Sequence, residues 1–351
     1  MKSSLQFGIV IPSFERLEYL KESLGSALNQ TYTNLEILVV DDRSKNPDLI
    51  AYLKSLTAAH LRVIVNRKNL GTTANYDKCV RSLSSAVSWC VILDNDDILD
   101  KNFVEEAVRV IKKFPGSNVL HARQLFIDGN KRPIGEDGPY PKLETSEEYL
   151  IRRCLNQREI RTSAMIFQPE KFKEIGGYPR FPSGLGTDTV LLFALAFGSA
   201  LAYAPKAKVR TRLYAGAESG NTSNLIGRLQ SIRMMLPYCR AVYRSHPKHD
   251  ARLQRKVLLY LSFYTLALSL FVLVGRCKEL AESSPAKMRQ ELRRIRLKLV
   301  QKGLVREAIF IALISFVTLF GVGIPKKSLA VTERVGNSMR TMLRKLLNLF
   351  V

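Results

Sequence analysis

The tetrapeptide Asp94-Asn95-Asp96-Asp97 sets three carboxylates at i, i+2 and i+3, directly after the apolar run at residues 89–93. A second pair, Asp41-Asp42, closes the β-branched run at residues 35–40, and Asp188 stands just before the apolar stretch at residues 190–194. Oxygen donors spaced like those of Asp94 and Asp96 suit a hard divalent cation, Mg²⁺ or Mn²⁺, which takes one or two carboxylates plus substrate phosphates. Asp also favours turns and helix caps, so a capped loop is the other reading of the same residues. Asp188 has two readings as well. It is either an N-cap or a carboxylate kept ionised by a helix N-terminus and so able to act as a base.

The elements around these residues alternate. Apolar runs at residues 7–11, 35–40, 61–65 and 89–93 predict strands. Leu17, Leu20, Leu24 and Leu28 recur at helical spacing, residues 73–84 form a second helical stretch, and Phe103, Val104, Ala107, Val110 and Ile111 mark a third. Strand–helix alternation at this pace means βαβ units, hence an α/β fold with a mostly parallel sheet flanked by helices. Ligands of such sheets bind outside the carboxyl ends of the strands, where Asp41-Asp42 and Asp94–Asp97 fall.

Several classes are excluded by what is missing. No GxGxxG follows the first strand and no GxxxxGK[ST] occurs, which counts against dinucleotide dehydrogenases and P-loop enzymes. The five cysteines are odd in number and widely spaced without a CxxC pair, so neither a disulfide framework nor a zinc site is expected, and a reducing cytoplasm is the simplest setting. The apolar run before Pro12 is too short for a signal-peptide core.

Six segments, in order, resemble family 2 glycosyltransferases of the GT-A fold over residues 5–225. They are Ile9-Val10-Ile11-Pro12-Ser13-Phe14, Ser26-Ala27-Leu28-Asn29-Gln30-Thr31-Tyr32, Leu35 to Ser44 around Asp41-Asp42, Asn69-Leu70-Gly71 with Asn75-Tyr76, Val91 to Asp97, and Gly176-Gly177-Tyr178 ahead of Asp188. The resemblance implies a nucleotide pocket lined by Pro12 and Phe14, with Asp42 reading the base and Asp41 close by. It makes Asp94-x-Asp96 the DxD element, with Asp96 the principal metal ligand and Asp94 beside the ribose and donor sugar. Asn69, Gly71 and Asn75 would shape the loop beside the donor, and Asp188 would deprotonate the acceptor hydroxyl. The implied chemistry is a single displacement on a nucleotide-diphosphate sugar, a UDP-sugar first among donors, that inverts the anomeric centre. A glycan or lipid-linked acceptor would receive the sugar.

Two positions depart from the family pattern. Thr187 stands where the family has a Glu, and Tyr214 stands where it has a His after the strand Val209-Arg210-Thr211-Arg212-Leu213. Arg210 and Arg212 offer guanidinium forks to a diphosphate, or else form a solvated basic strand. A nucleotidyltransferase would need a Gly-rich, Lys/Arg-bearing N-terminal loop that the chain lacks. A catalytically dead membrane- or glycan-binding module is the remaining alternative, and the intact Asp42, Asp94, Asp96 and Asp188 argue against it.

The formal charge of +23 belongs mostly to the end of the chain: residues 1–225 are nearly balanced, with 30 Lys+Arg against 25 Asp+Glu, whereas residues 226–351 hold 24 against 6. The expected layout is therefore a GT-A catalytic domain at residues 1–225 and a basic helical domain at residues 226–351. Residues 257–275 and 308–324 carry no charge, and each approaches the length of a membrane span. A spanning hairpin would put the basic linker 276–307 on the far side of the membrane, against the positive-inside expectation. Residues 288–300 and 335–350 instead read as basic amphipathic helices on an anionic membrane surface. A peripheral or monotopic domain on the cytoplasmic face is thus favoured over a two-helix anchor or a soluble bundle. No recognised nucleic-acid motif occurs in this region, so no nucleic-acid partner is expected.

Overall fold

The structure is a computed structural model and describes residues 5–214, 224–246, 249–281, 285–307, 309 and 311. These residues form two compact units, one from residues up to 180 together with 187–214, the other from residues 181–186 together with 224 onward.

The first unit opens with β1 (Gln6–Ser13), α1 (Leu17–Leu28), β2 (Leu35–Asp41), α2 (Pro47–Ser55), β3 (Leu61–Val65), α3 (Thr72–Arg81) and β4 (Val87–Ile92). β5 (Ile98–Leu99), α4 (Phe103–Lys113), β6 (Ser117–Ile127), β7 (Pro133–Glu136), β8 (Leu143–Thr145) and α5 (Ser146–Cys154) follow. β9 (Met165–Phe167), α6 (Pro169–Glu174), α7 (Thr187–Ala196) and β10 (Ala200–Arg212) complete it.

The sheet order is β3-β2-β1-β4-β9-β6-β10-β5, with β7 added to β6 and β8 to β10. The first four strands are mutually parallel, as their helical crossovers require. All seven positions of β2 are buried, which is why that strand reads as a continuous apolar run rather than an alternating one. Beyond β4 the sheet becomes mixed. β9 runs against both β4 and β6, and β7 returns on β6 through the short loop 128–132, a connection that permits only antiparallel pairing. The parallel pattern thus holds for the sheet's first half and for β6 with β10.

Helices cover the faces as the periodicity predicts. Leu20, Leu24 and Ala27 of α1 and Phe103, Val104, Ala107 and Ile111 of α4 enter one core with Ile9, Ile37, Val39 and Val91. α5 starts with a capping box, in which Thr145 Oγ1 accepts from Glu148 N and the Glu148 carboxylate accepts from Thr145 N. α7 is buried at every position except Asp188, so the one acidic residue of an apolar core helix is also the one that reaches the surface.

The second unit is helical: α8 (Leu225–Arg244), α9 (Ala251–Ala281) and α10 (Pro285–Gln301). Leu229 and Ile232 of α8, Val272 and Leu273 of α9, and Leu292 and Leu299 of α10 share a core. Over Ala251–Leu273, α9 has a mean hydropathy of 1.9 and is long and apolar enough to cross a membrane, with 33% of the best stretch buried in protein. It is the one such helix among the described residues. Leu259, Phe263, Leu266 and Phe271 of α9 stay exposed. The second apolar stretch at residues 308–324, apart from 309 and 311, and the tail at residues 335–350 lie outside the described residues.

Candidate active site

In the strand order β2-β1-β4 the connections reverse direction at β1, and ligands of such sheets bind at this switch point, outside the strands' carboxyl ends. β1 ends at Ser13, with Pro12 buried and Phe14 exposed by 45%. Pro12 has no N–H to give, and it sits past Val10, the last residue of β1 paired with β4, where no ladder bond is forfeited.

Asp42 organises the next wall. Its Oδ1 accepts from Asn66 Nδ2 at 2.7 Å and Leu70 N at 2.8 Å, and its Oδ2 accepts from Gly71 N at 2.8 Å. Asn69 Nδ2 donates to the Asp42 carbonyl at 3.1 Å. The carboxylate therefore folds the 66–71 loop against the mouth of β2. Gly71, at φ 80° and ψ 162°, adopts a conformation that essentially only glycine tolerates.

Asp41, Arg210 and Arg212, expected at the donor, make protein contacts, and so does Asn75, expected to shape the loop beside it. Asp41 is fully buried, and both its oxygens accept from Ser44, from the backbone N at 2.9 Å and from Oγ at 2.6 Å, so it closes a turn rather than facing a nucleotide. Asn75 is buried too. It accepts from Asn66 Nδ2 at 2.9 Å and donates to the Val40 carbonyl at 3.1 Å, which ties α3 to β2. Arg210 Nε pairs with Asp100 Oδ1 at 2.9 Å. Arg212 has a side chain only 1% exposed and donates to the Asp96 carbonyl at 2.8 Å, the Gly129 carbonyl at 3.1 Å and Glu22 Oε2. Its cation also lies 4.6 Å from the Tyr19 ring centroid. Arg212 is thus a buried strut behind the acidic turn, with almost no surface to offer a diphosphate.

The acidic turn follows the carboxyl end of β4. Tyr76 OH donates to Asp94 Oδ1, and the Asp94 backbone N donates to Ser163 Oγ at 3.0 Å. Asp96 Oδ2 accepts from Arg16 Nη1 at 2.8 Å and from Tyr214 OH at 2.9 Å. Burial pushes the Asp94 carboxyl well above the usual range, and the neighbouring charges of Asp97 and Asp96 push the same way. Asp97 is buried with Oδ1 accepting from Arg212 N at 2.8 Å, and its burial, with Asp96 alongside, lifts it to about 7.

That lift has a stability consequence. In the metal-free protein the fold favours protonated Asp97, a contribution present below the ordinary carboxylate pKa of ~3.9 and lost as pH rises through about 7. Asp97→Asn keeps the Oδ1 acceptor without the charge. It is expected to stabilise the metal-free protein by about 1–2 kcal/mol at pH 8 and to change nothing near pH 4, read from urea unfolding at both values.

Asp188 lies in the first turn of α7. Its Oδ1 accepts from Tyr178 OH at 2.7 Å and Thr162 Oγ1 at 3.0 Å. Burial raises its pKa, while these two hydrogen bonds and the nearby Arg161 and Arg153 pull it down. Tyr178 and Tyr76 meet edge-on with ring centroids 5.2 Å apart, so two tyrosines link Asp188 to Asp94 in one constellation. The glycine pair before Tyr178 is needed for its placement. Gly176 and Gly177 sit at φ 91° and 88°, and a Cβ on Gly177 would meet Asp77 Oδ1 at 1.9 Å, the oxygen that accepts from Tyr178 N.

Residues 8–172 match the profile described as Glycosyl transferase family 2. This part of the chain belongs to glycosyl transferase family 2. Its curated relatives include an uncharacterized glycosyltransferase of Rickettsia conorii, 29% identical over 48% of this chain and 28% of the relative. An uncharacterized glycosyltransferase of Haemophilus influenzae is 28% identical over 47% of this chain and 52% of the relative. The chondroitin synthase of Escherichia coli is 33% identical over 45% of this chain and 21% of its own length. The chain spans about half the length, or less, of these relatives. The fold resembles S. aureus TarS 1-349, solved in complex with UDP-GlcNAc, with a TM-score of 0.60 at 14% identity over 88% of this chain and 90% of the other.

Phe14, Asp42 with Asn69 and Gly71, and Asp94 and Asp96 stand at the strand ends within residues 8–172, and Asp188, beyond those residues, is linked to Asp94 through Tyr178 and Tyr76. Sequence reasoning did not find Arg16, Thr162 or Ser163, which carry no signal beyond their residue type. Tyr76, Tyr178 and Tyr214 lie in or next to the family-like segments, but nothing in their spacing shows that their hydroxyls reach Asp94, Asp188 and Asp96. Among the described residues no group of three or more His, Cys, Asp and Glu is arranged to hold a metal. Asp94 and Asp96 each keep one oxygen without a protein hydrogen bond among the described residues. Two carboxylates completed by substrate phosphates are what Mg²⁺ or Mn²⁺ takes, so the donor set fits.

Proposed function

We propose that this chain is a glycosyltransferase that moves a sugar from a nucleoside-diphosphate donor, a UDP-sugar first, to a hydroxyl of a glycan or lipid-linked acceptor with inversion. The observation that carries the reading is the placement of Asp188, held by Tyr178 and Thr162 and linked through Tyr76 to Asp94. Phe14 and the Asp42-braced 66–71 loop form the nucleotide side of the site. Asp94 and Asp96 would hold a divalent cation, which when bound offsets charge on the diphosphate leaving group. Asp188 accepts the proton of the acceptor hydroxyl, and Tyr178 and Thr162 fix which oxygen does so. Tyr214 takes over the contact to Asp96 at the position where the family has a His.

The test is nucleotide release across a panel of nucleotide sugars, with and without chelator. Removing the metal or introducing Asp96→Ala is expected to lower turnover by about 10²-fold, the scale of losing one electrostatic contact to developing charge. Undiminished turnover in Asp96→Ala would sink the metal assignment.

The helical unit, in this reading, holds the enzyme on an anionic membrane surface. The exposed Leu259, Phe263 and Leu266 recur at helical spacing on α9, and the last third of the chain is strongly basic. Release of the protein from membranes by high salt is the expected result, whereas resistance to both salt and carbonate washes would favour insertion.

A further inference from the structure

A cleft of about 430 Å³ is lined among others by Phe126, Tyr140, Gln157, Arg158, Arg161 and Leu213. Its size falls in the ~300–1,000 Å³ range of small-molecule sites. Two strands of chain run from its wall straight to the chemistry. Arg161 precedes Thr162, which donates to Asp188, and Leu213 precedes Tyr214, which donates to Asp96. The guanidinium of Arg161 is also close enough to lower the pKa of both Asp188 and Asp97.

Position in the sheet separates this cleft from the nucleotide. Phe14 and the Asp42 loop stand at the ends of β1 and β2, the acidic turn follows β4, and the cleft belongs to β6, β7 and the end of β10 on the other side of that turn. A molecule in the cleft would approach Asp188 from the side opposite the nucleotide.

The floor of the cleft is built and rigid. Arg158 is 2% exposed, with Nε on Glu144 Oε2 at 3.0 Å and Nη1 on His121 Nδ1 at 2.6 Å. Because a guanidinium only donates, His121 Nδ1 accepts and the proton sits on Nε2. Burial and the adjacent Arg158 charge keep that imidazole neutral. Arg158 also lies 3.7 Å from the centroid of the Tyr140 ring, which it locks in place. Above this floor, Gln157 is exposed, and Glu159 and Arg161 form an ion pair at 3.3 Å. Aromatic surface beside paired acceptors and donors of near-balanced charge suits an uncharged, hydroxyl-rich ring.

We propose that this cleft is the acceptor subsite and that it takes a neutral saccharide, with Tyr140, Gln157 and Arg161 as its recognition surface and Arg158 as the support beneath Tyr140. The proposal rests on the transferase reading above. Its test uses the full chain and measures two bindings separately. UDP binding is followed by calorimetry, and binding of maltose, cellobiose and N,N′-diacetylchitobiose is followed by saturation-transfer NMR, with glucuronic acid as the charged probe. Gln157→Trp fills the cleft from an exposed position, and Tyr140→Ala removes its aromatic wall.

At least one neutral disaccharide is expected to bind the wild type and to lose about tenfold or more in affinity in both variants, with UDP affinity unchanged. Saccharide binding that survives Gln157→Trp overturns the proposal. So does the absence of any neutral binder, a preference for glucuronic acid, or a parallel loss of UDP affinity. If the wild type binds a disaccharide at this cleft but neither UDP nor a UDP-sugar, the transferase reading fails while the saccharide site stands.

Discussion

Asp188→Asn is expected to lower sugar transfer by about 10²–10⁴-fold, the usual contribution of a positioned general base, and to leave UDP binding unchanged. The amide keeps the shape of the carboxylate and an oxygen able to accept from Tyr178 and Thr162, so a fall in turnover reports the lost base rather than a lost fold. The pH profile gives an independent check. A base works only when deprotonated, so activity is lost as pH falls through the Asp188 pKa. Burial raises that pKa, which places the acid limb above the ~3.9 of an ordinary aspartate. Tyr178→Phe deletes the 2.7 Å hydrogen bond that favours the ionised form, and the acid limb should then move to higher pH still. An acid limb that ignores both substitutions would assign the base elsewhere.

The N-terminal half of the fold was legible because parallel strands buried on both faces leave uninterrupted apolar runs, as at Leu35–Asp41. β7 and β8 were not legible. They are three or four residues long and largely exposed, and they exist because longer neighbours offer an edge to pair with. In the site, residue type and position at the end of a strand located Asp94, Asp96 and Asp188. What sequence cannot show is the direction in which a side chain turns. Asp41 and Asp42 are adjacent on one strand end, so alternation sends one inward to Ser44 and the other to the 66–71 loop. Alternation alone would send Arg210 and Arg212 to the same face of β10, yet Arg210 is exposed beside Asp100, whereas Arg212 is buried by its hydrogen bonds to the Asp96 and Gly129 carbonyls and to Glu22 and by its contact with Tyr19. Thr162, Tyr178 and Arg16 reach the carboxylates from distant parts of the chain, and no local spacing records that convergence.

Arg212→Ala is the substitution expected to damage the fold most. Arg212 donates to the Asp96 and Gly129 carbonyls and to Glu22, and its cation rests near Tyr19, with almost no side-chain surface in water. Truncation leaves those carbonyls without their donor and opens a cavity behind the acidic turn. Glu22 retains Lys131 Nζ at 2.8 Å and is partly exposed, which softens the loss. The expected cost is about 3 kcal/mol, the lower end for breaking a buried pair, measured as a drop in the urea midpoint. Arg212→Lys should recover only part of it, because one ammonium cannot reproduce three contacts made in a planar fork. Both variants should also lose turnover, since the Asp96 carbonyl that Arg212 anchors fixes the backbone from which the Asp96 side chain points. If Arg212→Ala kept full stability and lost only affinity for UDP, the guanidinium would belong to the donor diphosphate after all, and the strut would have to be found elsewhere in β10.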